Sequence, residues 1–380
     1  MRLERQRYLI DYTLSSLLRH KGKHLGLLLV YLLVVFLLAS VMLFSHALRR
    51  EATLILAGAP EIIVQRMVAG RHDLIPEDYL ARMGRIRGAG PGHGRLWGYY
   101  YDPAIRANYT LSVPREGALG KDGLSDDEIV IGAAIARTRA LAVGDYLGFR
   151  AADGGARSLR VTRILAPPSE LVSADLILVS ETRFRDLFAI PEGYYTDLVI
   201  EVRNPREVRK VAQKLGVRLP GTRIILREEI LRTYDALFGW RQGIVLVLLV
   251  GAILAFVILA WDKASGLSFD ERREIGILKA IGWETRDVIQ MKFWEGALIS
   301  LSAFLLGYCL AYLHVFYTGA ALFEPVLKGW AVLYPRFELV PFVDGLQVAT
   351  LFFLTVFPYT VATIIPIWRA AITDPDEVMR

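Results

Sequence analysis

Four long apolar runs constrain this chain more than any other feature. Leu25 to Phe44 is twenty residues without a charge, and Gly243 to Trp261 is the second run, closed by Asp262. Gly296 to Phe323 is interrupted only by His314, and Leu346 to Trp368 ends against Arg369. An α-helix rises about 1.5 Å per residue, so about 20 residues cross a hydrocarbon core of about 30 Å. None of the four runs shows the polar face of a surface helix. Composition points the same way. At 54% hydrophobic and 22% charged, the chain is too apolar for a disordered segment or an ordinary soluble enzyme. Its single cysteine excludes a disulfide scaffold. The expected fold is an α-helical membrane protein with four transmembrane helices and a large extracytoplasmic α+β domain inserted between helices 1 and 2.

The first run is read as an uncleaved helix, not a signal peptide, because 24 residues precede it and no A-x-A-like site follows. Short flanks set orientation through their Lys and Arg content. Residues 1–24 carry six, 262–295 carry six, and 324–345 carry only Lys328 and Arg336. Both termini and the 262–295 loop are therefore expected in the cytoplasm. The expected segments are a cytoplasmic amphipathic stretch 1–24, membrane helix 25–44, and an extracytoplasmic domain 45–242 ending in a stalk helix 227–242. Membrane helix 243–261, cytoplasmic loop 262–295, membrane helix 296–323, external loop 324–345, membrane helix 346–368 and cytoplasmic tail 369–380 complete the chain. The net charge of +6 does not imply nucleic acid. In 45–242, 29 Lys and Arg are interspersed with 24 Asp and Glu, an ordinary solvated surface.

Within 45–242 short strands and helices alternate. Strands are expected at 61–65, within 95–113, and at 128–132, 144–149, 158–165, 174–179, 197–202 and 223–226. Helices are expected at 76–86, 133–141, 181–188 with Ser180 as cap, and from Asn204-Pro205 to Leu215. This is an α+β domain of two lobes, with boundaries placed near 115 and 180. No breaker stronger than scattered glycines separates Arg227 from Asp262, so the second membrane helix is expected to continue outward as the stalk.

The 262–295 loop carries the most specific pattern. Acidic Asp270, Glu271 and Glu274 precede Ile275, Leu278 and Ile281 at helical spacing, Gly282 is placed as a C-cap, and Thr285 as the cap of the next helix. Such a helix either lies on the cytoplasmic leaflet or inserts its apolar face into a groove of a cytoplasmic partner. The string Glu271-Arg272-Arg273-Glu274-Ile275-Gly276-Ile277-Leu278-Lys279-Ala280-Ile281-Gly282 resembles the signature of FtsX-like permease domains of the MacB type. Ser16 to Lys23, the external domain and the ending Asp374-Pro375-Asp376-Glu377-Val378-Met379-Arg380 are similar to the family as well.

The resemblance implies the permease subunit of an ABC transporter in the bacterial inner membrane, dimerising with a second copy or a paralogue and resting on two cytoplasmic ATPase subunits. It assigns ATPase contact to Glu271, Arg272, Arg273, Glu274, Ile275, Gly276, Leu278, Lys279, Ala280, Ile281 and Gly282. It implies no cofactor on this chain, with ATP and Mg used by the partner ATPase, and it leaves room for a periplasmic adaptor. The role implied is coupling of ATP hydrolysis to movement of the periplasmic domain, for export or extraction of a hydrophobic or periplasmic substrate. Alternatives are a non-transporting mechanotransmitter acting on a periplasmic partner, a permease linked to metal or cofactor delivery, and a membrane-anchored sensor without an ATPase.

Catalysis by this chain itself is not expected. It has no G-x-x-x-x-G-K-[ST] loop; Gly117-Ala118-Leu119-Gly120-Lys121-Asp122 has the wrong spacing and no Ser or Thr. His72, His93, Met67 and Met83 lack a clustered metal spacing, His20 and His24 sit among lysines at the membrane edge, and His314 is read as interfacial. The aromatic-rich 324–345 loop is read first as a membrane belt and second as a contact surface. Pro358 and Pro366 are expected to kink the fourth run.

Overall fold

The computed structural model describes residues 2–19, 21–57, 59–115, 117, 123–165, 170–233, 250, 251, 254, 269–323, 332, 333, 336 and 339–372. Two compact units emerge: residues 1–47, 239–321 and 340–380 in one, 48–238 and 322–339 in the other. Helix α1 spans Arg2–Arg19 and helix α2 spans Lys21–Ala57. The first apolar run is thus the centre of a 37-residue helix, extended well beyond 25–44 on its C-terminal side. The reason is local: Ser45 to Ala57 contains no Gly or Pro to stop it.

The second unit contains two large sheets, each with its own core, and a two-stranded sheet pairing Ile75–Pro76 with Tyr194–Tyr195. Its strands are β1 (Ile62–Val68), β2 (Arg71–Asp73), β3 (Ile75–Pro76), β4 (Ala89–Arg95), β5 (Trp97–Asp102), β6 (Ala107–Ser112), β7 (Glu128–Gly132), β8 (Tyr146–Arg150), β9 (Ala156–Leu165), β10 (Leu176–Leu178), β11 (Tyr194–Tyr195), β12 (Asp197–Val202) and β13 (Thr222–Leu226). Its helices are α3 (Asp78–Met83), α4 (Ala133–Arg139), α5 (Glu170–Ser173), α6 (Glu181–Phe188) and α7 (Val208–Arg218).

The first lobe is the sheet β13-β1-β12-β4, antiparallel throughout, with β2 paired to the end of β1. Ile62, Val64, Leu198 and Ile200 meet Met83 of α3 and Val211 and Leu215 of α7 in its core. The second lobe is the sheet β5-β6-β10-β7-β9-β8. Its strands alternate as half-buried strands must, with Tyr109 and Leu111, Leu147 and Phe149, and Leu159 and Val161 pointing inward. Phe184 and Leu187 of α6 close this core. Ser180 caps α6, its hydroxyl accepting the Arg183 N–H at 3.2 Å, and Asn204 opens a 3-10 turn ahead of α7.

The chain changes lobes at Leu96 and again between Phe188 and Asp197, not near 115 and 180 as the sequence suggested. The sequence reading missed β4 because Gly-Pro-Gly-His-Gly opposes strand propensity. The glycines there answer to packing. A Cβ on Gly92 would lie 3.0 Å from Leu80 Cδ2, and one on Gly94 would collide with the Tyr195 ring. The two crossings are clamped together. Asp197, fully buried, accepts Arg95 Nε at 2.8 Å, Arg95 Nη2 at 2.7 Å and Trp97 Nε1 at 2.8 Å. Thr196 Oγ1 donates to the Trp97 carbonyl at 2.8 Å and accepts its N–H at 3.1 Å.

The segment between the third and fourth apolar runs also joins this unit. Leu333 packs on the second-lobe core, and the Arg336 N–H donates to Glu170 Oε2 at 2.8 Å. Glu170 is itself gripped by Arg137 at 2.5 and 2.6 Å. Of the described residues in this loop, Leu333, Arg336 and Leu339 belong to the second unit.

The remaining helices of the first unit are α8 (Phe269–Ala280), α9 (Thr285–Phe316) and α10 (Gly345–Ile372). Among the described residues, His24–Glu51 and Thr285–Phe316 are long and apolar enough to cross a membrane, and Gly345–Pro358 is a shorter apolar helix. The expected second span, 243–261, and the stalk beyond residue 233 lie almost wholly outside the described residues, as does the tail 373–380; residues 227–233 are helical. Helix α9 starts at Thr285, ahead of the apolar run at 296, and its polar first turns pack on α8 and α1. It stops at Phe316, ahead of a turn with Gly319 and Ala320 at positive φ. Helix α10 passes through Pro358 and Pro366 as one element. Helices α2 and α9 approach closely at Gly307, where a Cβ would sit 2.9 Å from Val35 Cβ. His314, in the last turn of α9, is buried, with Nδ1 3.2 Å from Ser40 Oγ of α2.

Candidate functional site: the helix before the third apolar run

The helix at the centre of the functional reading is α8. The acidic start and the absence of Pro or a β-branched run through 270–280 favour it. Its end is a Schellman motif. The Gly282 N–H donates to the Lys279 carbonyl at 3.0 Å and the Trp283 N–H to the Leu278 carbonyl at 3.0 Å. Gly282 sits at φ +99°, the left-handed conformation that glycine adopts without a Cβ penalty. Gly282 is thus the C-cap residue that the sequence suggested. Glu284, and not Thr285, occupies the N-cap position of α9; Thr285 is its first helical residue. The four-residue turn is braced from α1, where the Tyr12 ring lies 5.4 Å from Trp283.

The apolar residues of α8 divide between two faces. Ile275 and Leu278 are buried, and Ile275 seats against Val288 and Ile289 of α9. Ile277 is 54% exposed and Ile281 69% exposed, one turn apart on the outward side. Sequence spacing alone groups Ile275, Leu278 and Ile281 as one docking face. The structure separates them, since the first two are used by the chain's own packing. Of the other predicted contact residues, Ala280 and Gly282 are exposed and Lys279 is half-buried. Gly276 lies on the buried side, and the side chains of Glu271, Arg272, Arg273 and Glu274 lie outside the described residues. Ile277 belongs to the motif but not to the predicted contact set. Its only sequence signal was its i,i+4 relation to Ile281.

Behind this turn, α2 and α9 share a compact ionic group. Lys292 Nζ lies 2.7 Å from Glu295 Oε2, and His24 Nδ1 lies 3.5 Å from Glu295 Oε1, all three side chains largely buried. The metal candidates are dispersed. His72 bonds the Thr196 carbonyl at 2.9 Å and stacks on Trp97, and Met83 is in the first-lobe core. Among the described residues no three His, Cys, Asp or Glu side chains gather as a metal site.

Residues 242–375 match the family model for the FtsX-like permease C-terminal domain. That stretch is similar to the FtsX-like permease family, and residues 1–241 lie outside the match. The match spans α8, the Schellman turn, α9 and α10. The match supports a membrane protein with an ABC transporter permease-type role; members of that family are generally non-catalytic subunits that partner with ABC ATPases. Among curated proteins, none matches the chain.

Proposed function

We propose that this FtsX-like permease is a four-helix inner-membrane subunit, dimeric, with both termini in the cytoplasm, that couples a separate cytoplasmic ATPase to movement of its extracytoplasmic lobes. ATP and Mg are bound by the partner and not by this chain. The observation that carries the reading is the outward pair Ile277 and Ile281 on a helix whose other face is locked to α9. Two exposed isoleucines on a short, capped helix are poorly placed in water and well placed in a partner's groove. Because Ile275 seats on Val288 and a four-residue turn joins α8 to α9, force applied at the outward face passes into α9 without a flexible linker. The substrate moved at the far side is hydrophobic or periplasmic in this reading.

The test is co-purification of the full chain with candidate ABC ATPases, and their ATP turnover. Ile277→Asp combined with Ile281→Asp is expected to weaken the complex at least tenfold, since burying each isoleucine is worth about 1.5–3 kcal/mol. The thermal stability of the permease alone is expected to stay unchanged. Leu278→Asp is the contrasting variant and is expected to lower that stability. If the double variant binds and stimulates ATPases as the parent does, the coupling assignment is wrong.

A further inference from the structure

A cleft of about 510 Å³ opens in the extracytoplasmic unit between the edge strand β4 and the segment Val113–Arg115. One wall is apolar, made by Leu80, Leu96, Val113, Pro114 and the Tyr195 ring. The other carries His93, Arg95 and Arg115. Their donors are only partly used. Arg95 gives Nε and Nη2 to Asp197, which leaves Nη1 without a partner among the described residues. Arg115 gives Nη1 to Glu201 at 2.9 Å and keeps Nε and Nη2. The Nε2 atom of His93 is buried without a hydrogen-bond partner, an arrangement that costs stability in a folded protein unless a ligand completes it. Burial, and then the Arg115 charge, hold this imidazole below its usual pKa, so it is neutral near pH 7. Glu181, the one acid in the lining, is drawn off by Arg185, whose Nη2 lies 2.7 Å from it. Gly92 and Gly94 also line the cleft, and their lack of side chains lets Leu80 and the Tyr195 ring pack directly on the strand.

We propose that this cleft binds an amphipathic anion: one carboxylate or phosphate group on an apolar body. The head group accepts the unused N–H groups of Arg95 and Arg115 and pairs with His93 Nε2, and the body lies along Leu80, Leu96, Val113 and Tyr195. Arginine forks suit planar or tetrahedral oxyanions, and the volume is that of a small-ligand site. A purely apolar ligand would leave the three polar groups unpaired, and a bare anion would leave the apolar wall wet.

The test uses the full chain in phosphatidylcholine nanodiscs, with empty nanodiscs as the blank, titrated calorimetrically with octanoate and with octyl phosphate. Octanol and inorganic phosphate are the controls for each half of the ligand. Binding of octanoate or octyl phosphate is expected, with the preferred head group separating carboxylate from phosphate sources. Arg115→Ala, at the exposed rim, is expected to weaken it about tenfold or more, the scale of a lost charge-assisted hydrogen bond. His93→Phe, which keeps the ring and removes Nε2, is expected to weaken it too, and Arg209→Ala, at a distant surface pair, to leave it unchanged. The proposal is overturned if neither anion binds, if octanol binds as well as octanoate, if phosphate alone binds as well as its octyl ester, or if both cleft variants bind like the parent. No ATPase is present in the assay, so its outcome is independent of the coupling proposal.

Discussion

Replacing Arg95 with methionine isolates the clamp between the two lobes of the second unit. Asp197 is fully buried and accepts three N–H groups, two of them from Arg95 and the third from Trp97. Methionine keeps much of the arginine stem's volume and removes both guanidinium bonds, so a buried carboxylate is left with one donor. Deleting one partner of a buried pair costs about 3–5 kcal/mol. The lower end applies here, because the Arg95 side chain is 34% exposed and water can reach its place. About 3 kcal/mol corresponds to roughly 150-fold in an opening equilibrium. Hydrogen exchange of the full chain in nanodiscs, read on peptides covering β4 and β12, is expected to accelerate by about that factor. The double variant Arg95→Met with Asp197→Asn carries no buried charge, and Asn keeps an acceptor for Trp97. It is expected to recover at least half of the loss. An acceleration below about threefold in Arg95→Met, or a double variant no better than the single one, refutes the electrostatic account of the clamp.

Gly307→Leu is expected to lower the melting temperature of the solubilised chain by several degrees. Its Cβ would already crowd Val35, and overpacking of this kind costs about 1–3 kcal/mol; an unchanged melting temperature counts against close α2–α9 contact. Glu170 gives a pH dependence. Burial pushes its carboxyl up, but the Arg137 guanidinium and the Arg336 N–H outweigh this and hold it below the ordinary value. A depressed folded-state pKa means that the stabilisation is complete above the unfolded value, about 4.3, and is lost as pH falls through the folded one. Exchange of residues 170–173 and of the 332–339 segment is therefore expected to rise only below about pH 4, and Glu170→Gln is expected to abolish that dependence.

The long apolar helices at the first and third runs, the strand–helix alternation of the second unit, the Ser180 and Asn204 caps and the Gly282 C-cap were legible because each rests on local chemistry. Period-2 burial in β6, β8 and β9 and the punctuation at Asp153-Gly154-Gly155 are sequence-local signals. What was not legible depends on distant partners. Strand β4 is held by its antiparallel pairing with β12, and Leu80, Met83 and Tyr195 leave no room for side chains at 92 and 94. The lobe boundary at Leu96 is set by sheet pairing, which no window of residues reveals. At α8 the helical spacing was readable, but which side faces α9 was not, since Ile275 and Ile281 differ only in what packs against them.

The tie from Arg336 to Glu170 and the seating of Leu333 mean that the outer unit is assembled from two separate stretches of chain, 48–238 and 322–339. The family match at 242–375 contains the second stretch but not the first. Sequence-level modules and structural units therefore do not coincide. Grafting the outer domain of one such permease onto the membrane helices of another takes two intervals and not one. A change at Glu170 reaches a segment 166 residues away along the chain. Lineages that diversify the insert must carry that short strap with it, which binds the evolution of the two halves of the chain together.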